Sequence, residues 1–178
     1  MSKTAIIYWS GTGNTEAMAA AILDGAKEVN GETQLFNVSE ITADEAAKYD
    51  TLILGCPAMG AEVLEEGEFE PFFTELEAQL TGKNVALFGS YGWGDGEWMH
   101  SWEERVTAAN AKLICDSVIA NDAPDDEATA NCNNLGKTAA AIRFIEYMRA
   151  AAKSRPIIAP TFLYSAIINI YKQKGLYL

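Results

Sequence analysis

The chain is poor in positive charge, in histidine and in cysteine, and each shortage closes off a class of function. Thirteen lysines and arginines stand against 25 acids, for a net charge of −12 over 178 residues. The imbalance is uneven: residues 151–178 carry Lys153, Arg155, Lys172 and Lys174 and no acid, leaving nine bases against 25 acids, net −16, in residues 1–150. Such a body repels nucleic acid and anionic membrane and attracts basic proteins. Cys56, Cys115 and Cys132 are odd in number and scattered, with no Cys-x-x-Cys pair, which argues against a disulfide frame and a thiolate metal site. They read as buried or incidental thiols of a reducing compartment. The single histidine, His100, has no Cys or Asp at ligand spacing, so an exposed or capping role is expected for it, without catalysis or metal. The N-terminus lacks a signal-peptide pattern, and a cytoplasmic protein is the expectation. There is no internal repeat or low-complexity segment, and the length suits one globular domain with a proper core.

What is present gathers around Ser10-Gly11-Thr12-Gly13-Asn14-Thr15, set between the apolar run Ala5 to Trp9 and an Ala-rich run that opens at Glu16. Two glycines allow a tight turn and close backbone approach, and four short polar side chains sit where a helix should begin. This composition suits a phosphate cradle. With no Lys or Arg in the loop, an anion would be held by backbone N–H groups, hydroxyls and the helix N-terminal partial charge. A Walker A loop would need a lysine after its last glycine, and a dinucleotide fingerprint would need glycine at position 16, which is Glu. Taken alone, the cluster reads equally as a turn.

Along the chain, residues 3–9 form a strand, and Ala17, Met18, Ala21, Ile22 and Ala26 recur at helical spacing. Asn30-Gly31 breaks that helix, Thr33–Val38 alternates as a second strand, and Ala43–Lys48 makes a short helix. Strands follow at Thr51–Cys56, Lys83–Ser90 and Lys112–Ala120; helices follow near Pro71–Gln79, Trp98–Ala109 and Ala128–Ala152, the last with Leu135, Ala139, Ile142, Ile145 and Met148 inward. Five strands alternating with helices predict an α/β fold, one parallel sheet covered on both faces. Ligands of such sheets bind beyond the carboxyl ends of the strands. The loops after strands one, three and four therefore share one edge. The last two are Pro57-Ala-Met-Gly-Ala-Glu62 and Tyr91-Gly-Trp-Gly-Asp-Gly-Glu-Trp98. Together they suit a ligand with a phosphate at one end and a flat ring at the other, with Trp93 stacking on one face and Met59 on the other.

Trp9-Ser-Gly-Thr-Gly-Asn-Thr15, Ala58-Met-Gly60 and Ser90-Tyr-Gly-Trp-Gly-Asp-Gly96 resemble the three FMN loops of short-chain flavodoxins, in particular of the clostridial type, in order and spacing over about residues 3–150. The resemblance implies a flavodoxin-like three-layer sandwich with strand order 2-1-3-4-5. It implies FMN as cofactor, with its phosphate on Ser10, Gly11, Thr12, Gly13, Asn14 and Thr15 beside Trp9. The ring would lie between Met59 and Trp93, against Ala58, Gly60, Ala61, Ser90, Tyr91, Gly92 and Gly94. Glu62 would accept from the pyrimidine edge, Asn121 would give a further weak contact, and the Gly60–Ala61 peptide would turn its carbonyl toward flavin N5 on one-electron reduction. Ala61 departs from the Asp of the clostridial pattern and removes a carboxylate near the ring. By resemblance the protein is a low-potential single-electron carrier without catalytic residues, meeting redox partners with basic docking surfaces. Acids around the loops (Glu62, Glu65, Glu66, Glu68, Glu70, Asp95, Glu97) would disfavour the anionic, fully reduced flavin and steer those partners. Alternatives on the same sheet are an FMN-dependent reductase, such as a quinone reductase, and a regulatory domain without flavin.

The family pattern covers a domain of residues 1–152 and leaves 153–178 as an apolar extension. There Thr161, Ser165, Asn169 and Lys172 form a polar stripe on an otherwise apolar helix, with Pro160 inside and no 18-residue apolar run. Packing on its own domain, on another subunit or partner, and at a membrane surface all remain open for it.

Overall fold

The computed structural model describes residues 3–29 and 32–154, with side chains through Ile142. The expected break at Asn30-Gly31, the inward side chains of Ile145 and Met148, and the 153–178 extension beyond residue 154 lie outside what is described. Strands β1 (Thr4–Tyr8), β2 (Gln34–Asn37), β3 (Thr51–Gly55) and β4 (Asn84–Tyr91) alternate with helices α1 (Asn14–Val29), α2 (Ala43–Ala46), α3 (Phe69–Glu77) and α4 (Glu97–Ala108). Two short strands, β5 (Lys112–Leu113) and β6 (Val118–Asn121), and the long helix α5 (Asp126–Ser154) complete the order. All pairings are parallel, in the order β2-β1-β3-β4-β5 with β6 also on β4. No described helix is long and apolar enough to cross a membrane.

β1 and β3 are buried along their whole length because both sheet faces are covered, and their side chains alternate between two cores. Ala5, Ile7, Leu52, Leu54, Val85 and Leu87 face α2, α3 and α4, where Phe69, Phe73, Trp98 and Trp102 fill the layer. Ile6, Ile53, Ala86 and Phe88 face α1 and α5. Those two helices meet backbone to backbone: a Cβ on Gly25 would lie 2.0 Å from the Asn133 carbonyl oxygen, and one on Gly136 would lie 2.0 Å from that of Ile22. Leu135, Ala139 and Ile142 turn inward as their spacing predicts.

The fifth strand differs from the sequence expectation of one run over 112–120. Leu113 pairs with Val85 and Val118 with Phe88, so two residues on β4 are opposed by four on the edge. Ile114–Ser117 bulges out, and the Ser117 hydroxyl donates to the Glu103 carboxylate on α4. An edge strand can accommodate this because only one side of its ladder is paired.

The strand ends set the site. Tyr8, Gly55 and Phe88 lie in one row across the sheet; β1 and β3 stop there, whereas β4 runs on through Gly89, Ser90 and Tyr91 beside β6. At about 3.3 Å per residue, that leaves a wall on the order of 10 Å high beside the β1 and β3 ends. Backbone bonds carry the alignment into the loops: Trp9 N donates to Gly55 O at 2.9 Å, Cys56 N to Phe88 O at 3.1 Å and Ala58 N to Ser90 O at 2.9 Å.

Candidate functional site

The first loop turns at Gly13, whose φ of +91° is left-handed, and its N–H donates to Ser10 Oγ at 3.1 Å. The first amides of an α-helix have no intrahelical acceptor. At α1 no hydrogen bond among the described residues occupies those of Asn14, Thr15 or Glu16, so they remain available to an anion. Thr15 is buried and its hydroxyl lies 3.1 Å from that of Ser90, which ties the start of α1 to the end of β4. The Trp9 indole lies over Gly11 and donates to Glu68 Oε2 at 3.0 Å.

The second loop is a tight reversal. Met59 and Val63 exchange two 2.9 Å backbone bonds, with Gly60 (φ +50°) and Glu62 (φ +54°) left-handed between them. It is fastened to the third loop by three bonds. Trp93 Nε1 donates to Gly60 O at 3.2 Å, while Asp95 N and Glu97 N each donate to the Glu62 carboxylate at 2.8 Å. Gly94 permits this: its φ is +79°, and a Cβ there would fall 1.3 Å from Glu62 Oε1. The sequence reading of Glu62 as a ring acceptor therefore meets a competing use, since both its oxygens already serve the 95–97 backbone at the start of α4.

The three loops enclose a cavity of about 270 Å³. Trp9, Gly11, Thr12 and Asn14 line it from the first loop; Pro57, Ala58 and Met59 from the second; Ser90, Tyr91, Gly92 and Trp93 from the third; and Asp122 closes it. Trp93 is 52% exposed, whereas Trp98 and Trp102 are buried in the core. Of the other residues singled out from sequence, Ser10, Gly13 and Thr15 build the first loop behind that lining, and Gly60, Ala61, Glu62 and Gly94 lie outside it. Asn121 lines a separate cavity with Ala123 and Asn131, and its side chain donates to Tyr91 O at 3.3 Å. Pro57 and Asp122 were not expected. Asp122 is reached because β6 pairs with β4 as far as Tyr91, which sets the next residue at the rim.

Neighbouring acids are largely engaged. Burial works to raise the Glu65 carboxyl, but N–H bonds from Phe69, Glu68 and Gly67 outweigh it and hold it below the ordinary range. Glu70 pairs with Arg105 at 2.8 Å, and Arg105 also bonds Glu77 and lies 4.7 Å over the Phe73 ring. Burial pushes the Cys56 thiol far up, so beside the cavity it stays protonated and inert. His100 is exposed, 3.4 Å from Glu103. Among the described residues no cluster of His, Cys, Asp and Glu could hold a metal.

Glu62→Gln should weaken the clasp between the second and third loops, because an amide presents only one acceptor oxygen to two N–H donors. For this half-buried group the expected loss is about 1 kcal/mol of stability, read by urea unfolding, with faster hydrogen exchange at Asp95 and Glu97. Unchanged exchange at both amides would refute the clasp.

Comparison with known proteins bears on the same residues. The family profile described as Flavodoxin matches residues 6–135. The flavodoxin of Clostridium beijerinckii is 50% identical over 137 residues, covering 77% of this chain and 99% of that protein. That of Megasphaera elsdenii is 47% identical, covering 76% and 96%. The solution structure of two-electron reduced Megasphaera elsdenii flavodoxin matches with a TM-score of 0.71 at 46% identity, covering 77% of this chain and 98% of that one. Identity of one residue in two across nearly the whole of a relative exceeds what a shared sheet alone requires. The chain therefore belongs to the flavodoxin family, whose members bind FMN and carry electrons between redox proteins rather than act as enzymes.

Proposed function

We propose that the cavity between the three loops is the FMN site and that the residues lining it divide the cofactor between them. The observation that carries this is the convergence of a cation-free anion cradle, a thioether and a half-exposed indole on one cavity of about 270 Å³. The residues present fit the group. The open amides at the start of α1 with the Thr12 hydroxyl and Asn14 would hold the phosphate, and Met59 and Trp93 would cover the ring. A tryptophan 52% exposed at a cavity mouth gains from a flat partner that removes its face from water. FMN, when bound, supplies the electron chemistry through its ring. The protein's part is to bind, orient and shield it. Trp93 also holds the Gly60 carbonyl through its indole N–H, so any turn of the Gly60–Ala61 peptide toward the ring has to release that bond.

The cradle reading separates the phosphate from the ring. Thr12→Ala should raise the dissociation constant for FMN by about fivefold to thirtyfold, equivalent to one charge-assisted hydrogen bond, and leave that for riboflavin within about twofold. Equal losses for both ligands, by fluorescence titration, would remove the phosphate from this loop.

We further infer that the partners of this carrier dock through basic surfaces and that it works in the cytoplasm; the net charge of −12 supports the first. Electron-transfer rates with a basic partner should then fall as ionic strength rises from about 0.01 to 0.5 M. A rate independent of salt would count against it. The same reading assigns residues 1–152 to the FMN domain and 153–178 to an extension of it. A chain ended at residue 152 should keep its FMN absorption spectrum, and loss of FMN with that cut would join the extension to the site.

A further inference from the structure

We propose that Glu68 is a latch: its carboxylate holds the Trp9 indole over the anion cradle and so governs how fast the phosphate end of FMN is released; this rests on the cavity being the FMN site. Trp9 Nε1 donates to Glu68 Oε2 at 3.0 Å, across 59 positions of chain. The indole lies over Gly11, where an added Cβ would come within 2.8 Å of Trp9 Cη2, and it lines the cavity beside Thr12 and Asn14. Its backbone is fixed, since Trp9 N donates to Gly55 O at 2.9 Å, but its side chain is only half-buried at the edge of the core. Glu68 is fixed as well. The Glu65 carboxylate accepts from Gly67 N, Glu68 N and Phe69 N at 2.7, 2.8 and 3.0 Å, so Glu68 reaches out from a pinned turn.

The indole N–H is the one polar group of that side chain, and the Glu68 carboxylate is the partner that the described residues give it. Without this bond the ring keeps its apolar contacts but loses the directional tie that favours this rotamer over those turned toward water. The two tryptophans of the cavity are held alike. Trp93 donates to Gly60 O at 3.2 Å and Trp9 to Glu68, so the segment 60–68 grips one indole beside the second and third loops and the other at the cradle. The first bond is to backbone and the second to a side chain, so substitution of an acceptor can remove only the second. While the indole stays over Gly11, an anion on the open amides of α1 is shielded from competing water; when it lifts, water reaches those amides. The charge of Glu68 acts differently. A negative group near an anion site slows the arrival of the anion, above all at low salt. Bond and charge therefore separate, the one in the rate of leaving and the other in the rate of arrival.

The test is stopped-flow release of FMN and of riboflavin in about 1 M salt, where screening acts within about 3 Å and suppresses the charge effect. It is joined to solvent exchange of the Trp9 indole N–H, read by NMR with and without FMN. Glu68→Ala should release FMN about three- to tenfold faster, the worth of one hydrogen bond, and should speed indole exchange by a similar factor. Riboflavin, which has no phosphate for the cradle, should leave within about twofold of the wild-type rate. Glu68→Gln keeps an acceptor oxygen and should stay within about twofold of the wild type in FMN release and in exchange. In a Trp9→Phe background, which lacks the donor, Glu68→Ala should have no further effect on release, as a double-mutant cycle requires. Unchanged FMN release and indole exchange in Glu68→Ala overturn the latch. So does a glutamine variant that behaves as the alanine one, which would mean charge and not bonding, and so does an equal gain in riboflavin release, which would mean general loosening of the loops. If the wild type binds no FMN, the reading of the cavity fails and the latch with it; if it binds FMN and Glu68→Ala changes nothing, Glu68 alone is excluded.

Discussion

The ladder that joins β1, β3 and β4 is the constraint on which the site depends. Residues 9, 57 and 93 are far apart in the chain, yet their loops leave the sheet from one edge because parallel strands all deliver their carboxyl ends to the same side. The row Tyr8–Gly55–Phe88 brings two strands to a stop together, and the longer β4 then supplies a wall for them to face. Bonds from Trp9, Cys56 and Ala58 prolong the ladder past the formal strand ends, so the loops begin from fixed points. A one-residue slip of β3 against β4 would turn Cys56 and Leu54 to the wrong core and carry Met59 off the rim. The hydrophobic alternation that fills the two cores is thus also what aims the loops.

Much of this was legible in the sequence because its signals are local. The buried runs over residues 4–8 and 51–55 and the helical spacing of Leu135, Ala139 and Ile142 each depend on a few neighbouring residues, and the structure follows them. What was less legible depends on pairs distant in sequence. The edge strand reads as continuous from 112 to 120, since nothing within it announces that β4 will oppose four residues with two. Glu62 reads as an acid beside a ligand loop, but Gly94, 32 positions later, leaves the space that draws its carboxylate to the 95–97 backbone. Asn121 and Asp122 are adjacent and both polar. Only the reach of β6 along β4 and the left-handed turn at 122 decide which of them meets the cavity. A periodicity cannot encode that choice.

The distribution of charge around the cavity follows one logic. A phosphate monoester brings a charge of about −1.5 to −2 at neutral pH into a body that is already strongly acidic. The usual remedy would be a Lys or Arg in the loop, and here there is none. On the proposed reading the first loop would answer with open amides and hydroxyls, holding the anion through directed hydrogen bonds and the helix N-terminal partial charge. That choice has a consequence at the other end of the cavity. A fixed cation would stabilise every added electron on a ring nearby, whereas neutral donors act strongly only over hydrogen-bonding distance. Arg105, a guanidinium near the loops, is held off by Glu70, Glu77 and Phe73. On the proposed reading the phosphate and the ring would be met by different groups, neutral donors at the start of α1 for one and Met59 with Trp93 for the other.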